Sequence, residues 1–257
     1  MQLNYKKFGD SGSTTLILHG LLGSLDNWQT IAKQLAETHQ VYIIDQRNHG
    51  RSPHSVIFRY EILAQDILDF CAKHTIEKTT IIGHSMGGKV AMLLALLHPE
   101  IIEKLIVADI APTHYDGGHE EILFAMAEAP IHATTDRNDI DVFLQKRISQ
   151  FSVRQFVLKN LSRNTDGKFE WKCDLETLIN NYRVLMEFPA AETIFSGETY
   201  FIKGAQSNYI TTENWNSCLH YFPNAKLLSV TNAGHWLHAE NPLEFVEKIK
   251  SIVYVAH

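Results

Sequence analysis

Cysteine is scarce in this sequence. Cys71, Cys173 and Cys218 are odd in number and far apart, which excludes a disulfide framework, and none has a zinc-ligand spacing. A reduced cytoplasm is the setting this implies. Excess positive charge is also missing: 23 Lys and Arg stand against 29 Asp and Glu, for a net charge of −6. With no basic stripe or arginine-rich run, nucleic acid is not an expected partner. Long apolar runs are absent as well. The longest, residues 90–97, is far short of a bilayer, so no membrane association is expected. The N-terminal MQLNYKKFGD has lysines without an apolar run behind them and does not read as a signal peptide. Internal repeats and low-complexity segments are lacking too.

What remains, 45% apolar and 20% charged in 257 residues, suits one substantial globular core. Short apolar runs rich in β-branched residues recur at 14–19 (TTLILH), 41–45 (VYIID), 79–83 (TTIIG), 104–109 (KLIVAD), 199–203 (TYFIK) and 225–230 (AKLLSV). They do not alternate, so they read as strands covered on both faces of a parallel sheet. Residues 2–8 alternate better and suit an antiparallel edge strand. Helical patterns fill the gaps at 28–37, 60–74, 86–97 and 242–253, the last with Pro242 in its first turn. This alternation predicts a doubly wound α/β sheet. Residues 112–192 break it, with helical patterns such as HEEILFAMAEA, DIDVFLQKRISQF and DLETLINNYRVLMEF. A stretch this long between strands reads as a helical cap, inserted into a core made of residues 1–111 and 193–257. Its apolar residues Phe124, Met126, Phe143, Phe151 and Leu158 are expected to form the cap's own core, and none is assigned to a substrate.

The segment TIIGHSMGGKV (80–90) fits two loops that both join a strand to a helix. As a phosphate-binding G-x-x-x-x-G-K-[ST] loop it fails at Val90, where a hydroxyl must bind magnesium. As a G-x-S-x-G nucleophile elbow it is complete in Gly83, Ser85 and Gly87. Such an elbow lifts a serine clear of the sheet at the positive end of a helix. A base is available in NAGHWLHAENP (232–242), where His235 follows a strand at the sheet's carboxyl edge. His238, three residues on, is expected to face the closing helix. The order Ser…His suits a hydrolytic triad. His84, beside the serine, is expected to pack or hydrogen-bond in the elbow and not to act as the base.

The segments HGLLGSLDNW, DQRNHGRSP, GHSMGGK, DIAP and AGHWLHAENP together resemble the α/β-hydrolase superfamily, and in their finer wording the small intracellular esterases of the YbfF type. The resemblance runs through nearly the whole chain and implies an α/β-hydrolase fold. It also implies a Ser–His–acid hydrolase acting on small acyl esters or thioesters, with no metal or organic cofactor. The oxyanion would be held by the backbone N–H groups of Leu21 and Met86. The superfamily's usual acid position, on the loop KGAQSNYIT (203–211), holds Ser207, which cannot carry the charge that stabilises an imidazolium. Glu213 nearby reads as a helix-capping residue. The YbfF-type pattern implies instead that Asp109, at the end of the strand after the elbow helix, is the acid, with Ser207 as an auxiliary hydrogen-bonding group. In the DQRNHGRS loop the resemblance implies a structural pair between Asp45 and Arg47. A carbon–carbon bond hydrolase on the same triad, or a non-catalytic ligand-binding relative, are the alternative readings; the intact Ser85, Asp109 and His235 argue against the latter. Dehalogenases and epoxide hydrolases need an aspartate where Ser85 stands.

Overall fold

The structure, a computed structural model, describes residues 1–254. Its strands are β1 (Tyr5–Phe8), β2 (Thr14–Leu18), β3 (Gln40–Ile44), β4 (Thr79–His84), β5 (Ile102–Ala108), β6 (Leu161–Arg163), β7 (Phe169–Trp171), β8 (Glu198–Gly204) and β9 (Lys226–Val230). The helices are α1 (Gln29–Leu35), α2 (Tyr60–Lys73), α3 (Met86–Leu97), α4 (Glu120–Glu128), α5 (Arg137–Gln145) and α6 (Phe151–Leu158). They continue with α7 (Leu175–Asn180), α8 (Tyr182–Met186), α9 (Thr212–Tyr221), α10 (Leu237–Glu240) and α11 (Pro242–Val253). Among the described residues no helix is long and apolar enough to cross a membrane.

Seven strands form one sheet in the order β1-β3-β2-β4-β5-β8-β9. Only β1 is antiparallel, pairing with β3 at one edge. Side chains alternate across each strand, so neighbouring residues reach opposite faces. Leu16 and Leu18 join the cluster under α2 and α3, while Ile17 joins Trp28, Ile31 and Phe245 under α1 and α11. Two separate cores explain why the inner strands read as continuous apolar runs. The last strand departs from that expectation. β9 has no neighbour beyond it, its Leu227 is 41% exposed, and only Val230 in it is buried.

Between β5 and β8 the chain adds nothing to this sheet. It forms α4 to α8 and a small antiparallel ribbon, β6 with β7. The ribbon interrupts a stretch whose sequence shows only helical patterns; Asn164-Thr165-Asp166-Gly167 turns it, with Gly167 at φ 75°. DIDVFLQKRISQF also divides. Its helix stops at Gln145 and the next begins at Phe151, because the Arg154 guanidinium takes up the carbonyls of Ile148 and Ser149, each at 2.9 Å. Phe124 and Phe151, expected in the interior of this segment, are 50% and 65% exposed, on the outward sides of their helices.

One lysine ties this insertion to the elbow helix. Lys89, in the first turn of α3, donates through Nζ to the carbonyls of Leu185, Met186 and Glu187 at 3.0, 2.8 and 2.8 Å. A cation capping the last turn of α8 meets the negative end of that helix. Tyr60 donates to the same Leu185 carbonyl at 2.8 Å. Replacing Lys89 with Met removes three hydrogen bonds and strands the Glu187 carbonyl, whereas Leu185 keeps Tyr60 and Met186 keeps the Tyr115 amide, at a cost of about 1–3 kcal/mol. The expected outcome is a lower melting temperature, with faster amide exchange concentrated in residues 120–187; unchanged exchange there would show that the lysine does not hold the insertion.

Candidate active site

Ser85 stands between β4 and α3 with φ 51° and ψ −117°, a conformation an L-residue adopts only under constraint. The constraint is the crossing of β4, α3 and β2. A Cβ on Gly83 would lie 2.3 Å from the Gly87 carbonyl oxygen, and one on Gly87 would lie 2.5 Å from that of Leu18. Glycine alone allows these backbones so close, and the turn thus formed lifts Ser85 toward His235. The serine amide closes the turn from the other side by donating to the Ala108 carbonyl at 3.0 Å.

His235, on the loop after β9, places Nε2 3.0 Å from Ser85 Oγ and Nδ1 2.9 Å from Asp109 Oδ2. A carboxylate only accepts, so Nδ1 carries the hydrogen and Nε2 is left to accept the serine proton. Asp109 follows β5 at φ 52° and is fully buried. Its Oδ1 accepts the Gly204 N–H at 3.0 Å, and its Oδ2 also accepts the Ser207 hydroxyl. The structure therefore brings Ser85, His235, Asp109 and Ser207 into one hydrogen-bonded chain. Tyr209 stacks on the His235 ring, with centroids 3.8 Å apart and planes 20° from parallel.

Burial pushes the His235 imidazole down to about 3. It pushes the Asp109 carboxyl up to about 7, against the opposing hydrogen bonds from Ser207 and Gly204. At neutral pH the imidazole is uncharged, as a base must be. The two groups share a proton and titrate as one unit. One added proton, on the imidazole or on the carboxyl with a change of tautomer, leaves a hydrogen on Nε2 and ends its role as acceptor.

Leu21 and Met86 line the cavity beside Ser85, and neither residue's amide is taken up by a protein acceptor among the described residues. The preceding turn is rigid: His19 donates from Nδ1 to the Gly20 carbonyl at 2.8 Å and accepts the Gln46 N–H at Nε2, 3.0 Å away. His84 donates from Nε2 to the His235 carbonyl at 2.8 Å, a structural role as expected. His238 lies flat on Trp28, with ring centroids 4.5 Å apart, and near Phe245 of α11. Asp45 and Arg47 do not pair with each other. Arg47 makes a two-pronged bond to Asp66 at 2.6 and 2.9 Å, whereas Asp45 accepts the Leu25 and Arg51 amides at 2.7 and 2.9 Å. Loop and α2 are fastened by the first set, and the loop's own turn by the second. Glu213 is not a cap either; the Thr211 hydroxyl caps α9, and Glu213 only sits in its first turn.

Two cavities meet at Ser85. One, of about 20 Å³, is bordered by Met86, Lys89, Ile110, Leu185 and Met186; the other, of about 10 Å³, by His235, Trp236, Ile122, Phe156 and Val157. His119 borders both. Its Nδ1 is buried without a protein partner, and burial holds its pKa down at about 4. None of the five apolar residues expected in the insertion's core lines either space. His119 and Phe156 escaped the sequence reading because they belong to no motif and approach Ser85 only as the insertion folds back, whereas Tyr209 lies in the loop after β8 and its stacking on His235 is a contact that spacing does not reveal.

A family model for the alpha/beta hydrolase fold matches residues 15–152. The chain is 37% identical to the sn-1-specific diacylglycerol lipase ABHD11 of Danio rerio, over 97% of this chain and 81% of that protein. It is 34% identical to the esterase YbfF of Escherichia coli strain K12, over 91% of this chain and 89% of the other. A solved structure, described as a marine microorganism esterase, superposes with a TM-score of 0.96 at 40% identity, covering 98% of this chain and 99% of that one.

The Ser207 bond favours the charged form of Asp109, so removing it raises the carboxyl's affinity for the proton. In Ser207→Ala the shared proton of the Asp109–His235 pair is expected to bind at a pH about one unit higher, the equivalent of a hydrogen bond to a charged group worth about 1.5 kcal/mol. Titration of ¹⁵N-labelled imidazole resonances reads this directly. A midpoint that stays put or falls would show that Ser207 does not tune the carboxylate.

Proposed function

The chain belongs to the α/β-hydrolase family and is a hydrolase of the esterase/lipase kind, and from that premise we propose that it is a serine carboxylesterase using Ser85, His235 and Asp109 as its triad. The observation that carries this reading is the unbroken path from Ser85 Oγ through His235 to the Asp109 carboxylate, at 3.0 and 2.9 Å. His235 Nε2 takes the hydroxyl proton as Oγ attacks the acyl carbon, and Asp109 holds the tautomer and offsets the charge that forms on the ring. The Leu21 and Met86 amides receive the oxyanion, each donor contributing about 3–4 kcal/mol in comparable sites. The imidazolium then passes its proton to the departing alcohol or thiol. Water, deprotonated by the same nitrogen, hydrolyses the acyl-enzyme. No step requires a metal or an organic cofactor.

The cavities beside Ser85, about 20 and 10 Å³, hold little more than a water molecule, so an acyl group must displace side chains that line them. The relative named as a diacylglycerol lipase leaves open a glycerol ester as the natural substrate class. Three buried free thiols, Cys71, Cys173 and Cys218, suit the reducing cytoplasm we propose as its location.

Ser85→Ala should retain the fold yet lose hydrolysis of p-nitrophenyl acetate and labelling by a fluorophosphonate; activity retained by that variant would end the proposal. Asp109→Asn should lower kcat by about 10⁴-fold through the wrong tautomer. A larger loss in Ser207→Ala than in Asp109→Asn would mean that the acid is misassigned.

A further inference from the structure

The two cavities at Ser85 are not equivalent once the proton's route is followed, granting the esterase reading above. The bond that breaks joins the acyl carbon to an oxygen or sulfur, whose departing electron pair takes the proton from His235 Nε2. That atom must therefore face His235, and everything attached to it extends into the cavity bordered by His235, Trp236 and Phe156. The acyl chain is left the opposite cavity, beside Met86, Leu185 and Met186.

The leaving-group cavity is closed on its outer side by two rings. Phe156 of α6 and Trp236, next to the catalytic histidine, are both half-buried and pack with centroids 6.0 Å apart at 47°. Behind them lies a groove of about 500 Å³ between α1, α6 and α10, and the same two residues line it. It is bordered by Thr30, Gln34 and Ser152, and by Lys159, whose ammonium forms no ion pair among the described residues. The wall is mixed: Ile31, Trp236, Ala239 and Pro242 present carbon among Thr30, Gln34, Ser152 and Lys159, so it suits a chain that carries both hydrocarbon and hydrogen-bonding groups, as a polyether does.

We propose that Phe156 and Trp236 form a gate through which the leaving group of an ester or thioester extends into the groove between α1, α6 and α10, which accepts an alcohol or thiol carrying an amphipathic chain such as a polyether. Specificity on this side is then set by the gate and the groove. On the acyl side it is set independently by the cavity beside Met86.

Two series of esters separate these dependences. In the first the acyl group is acetyl and the alcohol is methanol, di(ethylene glycol) monomethyl ether or tri(ethylene glycol) monomethyl ether. In the second the leaving group is p-nitrophenol and the acyl chain grows from acetyl to octanoyl. Phe156→Ala, which opens the gate without touching the triad, should raise kcat/KM for the tri(ethylene glycol) ester relative to methyl acetate by about tenfold, or ~1.4 kcal/mol in the barrier. Thr30→Trp fills the groove from the exposed side of α1 and should lower the same ratio about tenfold. Neither should alter the acyl-chain series. If Thr30→Trp leaves the alcohol series unchanged, or if Phe156→Ala shifts the acyl series instead, the groove is not the leaving-group site. Hydrolysis of p-nitrophenyl acetate by the unmodified protein keeps that failure distinct; its absence would overturn the esterase reading, and this proposal with it.

Discussion

A single carboxylate with no exposed surface joins four separate pieces of this chain. Asp109 ends β5, accepts the Gly204 amide from the end of β8, accepts the Ser207 hydroxyl from the following loop, and faces His235 from the loop after β9. Burying a charge is expensive unless hydrogen bonds replace its water, and here three donors do so. The geometry that allows it is local: φ 52° at Asp109 turns the side chain back over the sheet edge, and the Asp109 amide is held by the Ile202 carbonyl at 2.9 Å. The His235 loop has other ties, from His84 Nε2 to the His235 carbonyl and from the Gln206 amide to the Ala233 carbonyl, but the carboxylate is what holds the ring at Nδ1.

The serine side is held by different means. No charge fixes Ser85; close backbone contact does, through glycines that let α3 lie directly on β4 and β2. Packing of this kind is stiff, because a shift in α3 would collide with carbonyl oxygens of neighbouring strands. That same helix reaches the insertion through Lys89, so the segment covering the site is referenced to the helix that carries the nucleophile. Lysine at this position invites comparison with a phosphate-binding loop. Its three bonds go to backbone carbonyls instead, and Val90 behind it is fully buried.

What could be read from residues alone followed from period and local chemistry. Buried strands appear as β-branched runs, the elbow as spaced glycines around a serine, and α11 by the proline at its start. Pairings distant in sequence left no such trace. Arg47 lies 19 residues from Asp66 and finds it only because α2 folds over the loop. The acid is the instructive case. Ser207 and Asp109 both sit at the catalytic edge, and the structure makes them partners, with the hydroxyl donating to the carboxylate. The ribbon β6–β7 was hidden for another reason: its strands of three residues are too short for any period to register.

The histidines around the triad complete the electrostatic picture. His84 lies 4.9 Å and His119 6.1 Å from the His235 ring, centroid to centroid, and His238 lies 4.6 Å from His84. If any of these carried a charge at neutral pH, it would oppose the positive charge that the proposed mechanism places on His235. Burial is the largest effect on each and drives all three below the ordinary histidine range, so they remain neutral. The arrangement is not free: Nδ1 of both His119 and His238 is buried without a protein partner, a cost of about 1–3 kcal/mol for each. Neutral rings still provide shape and polarizability without a competing field. Of these four rings His235 is the one that has a carboxylate, Asp109, behind it among the described residues.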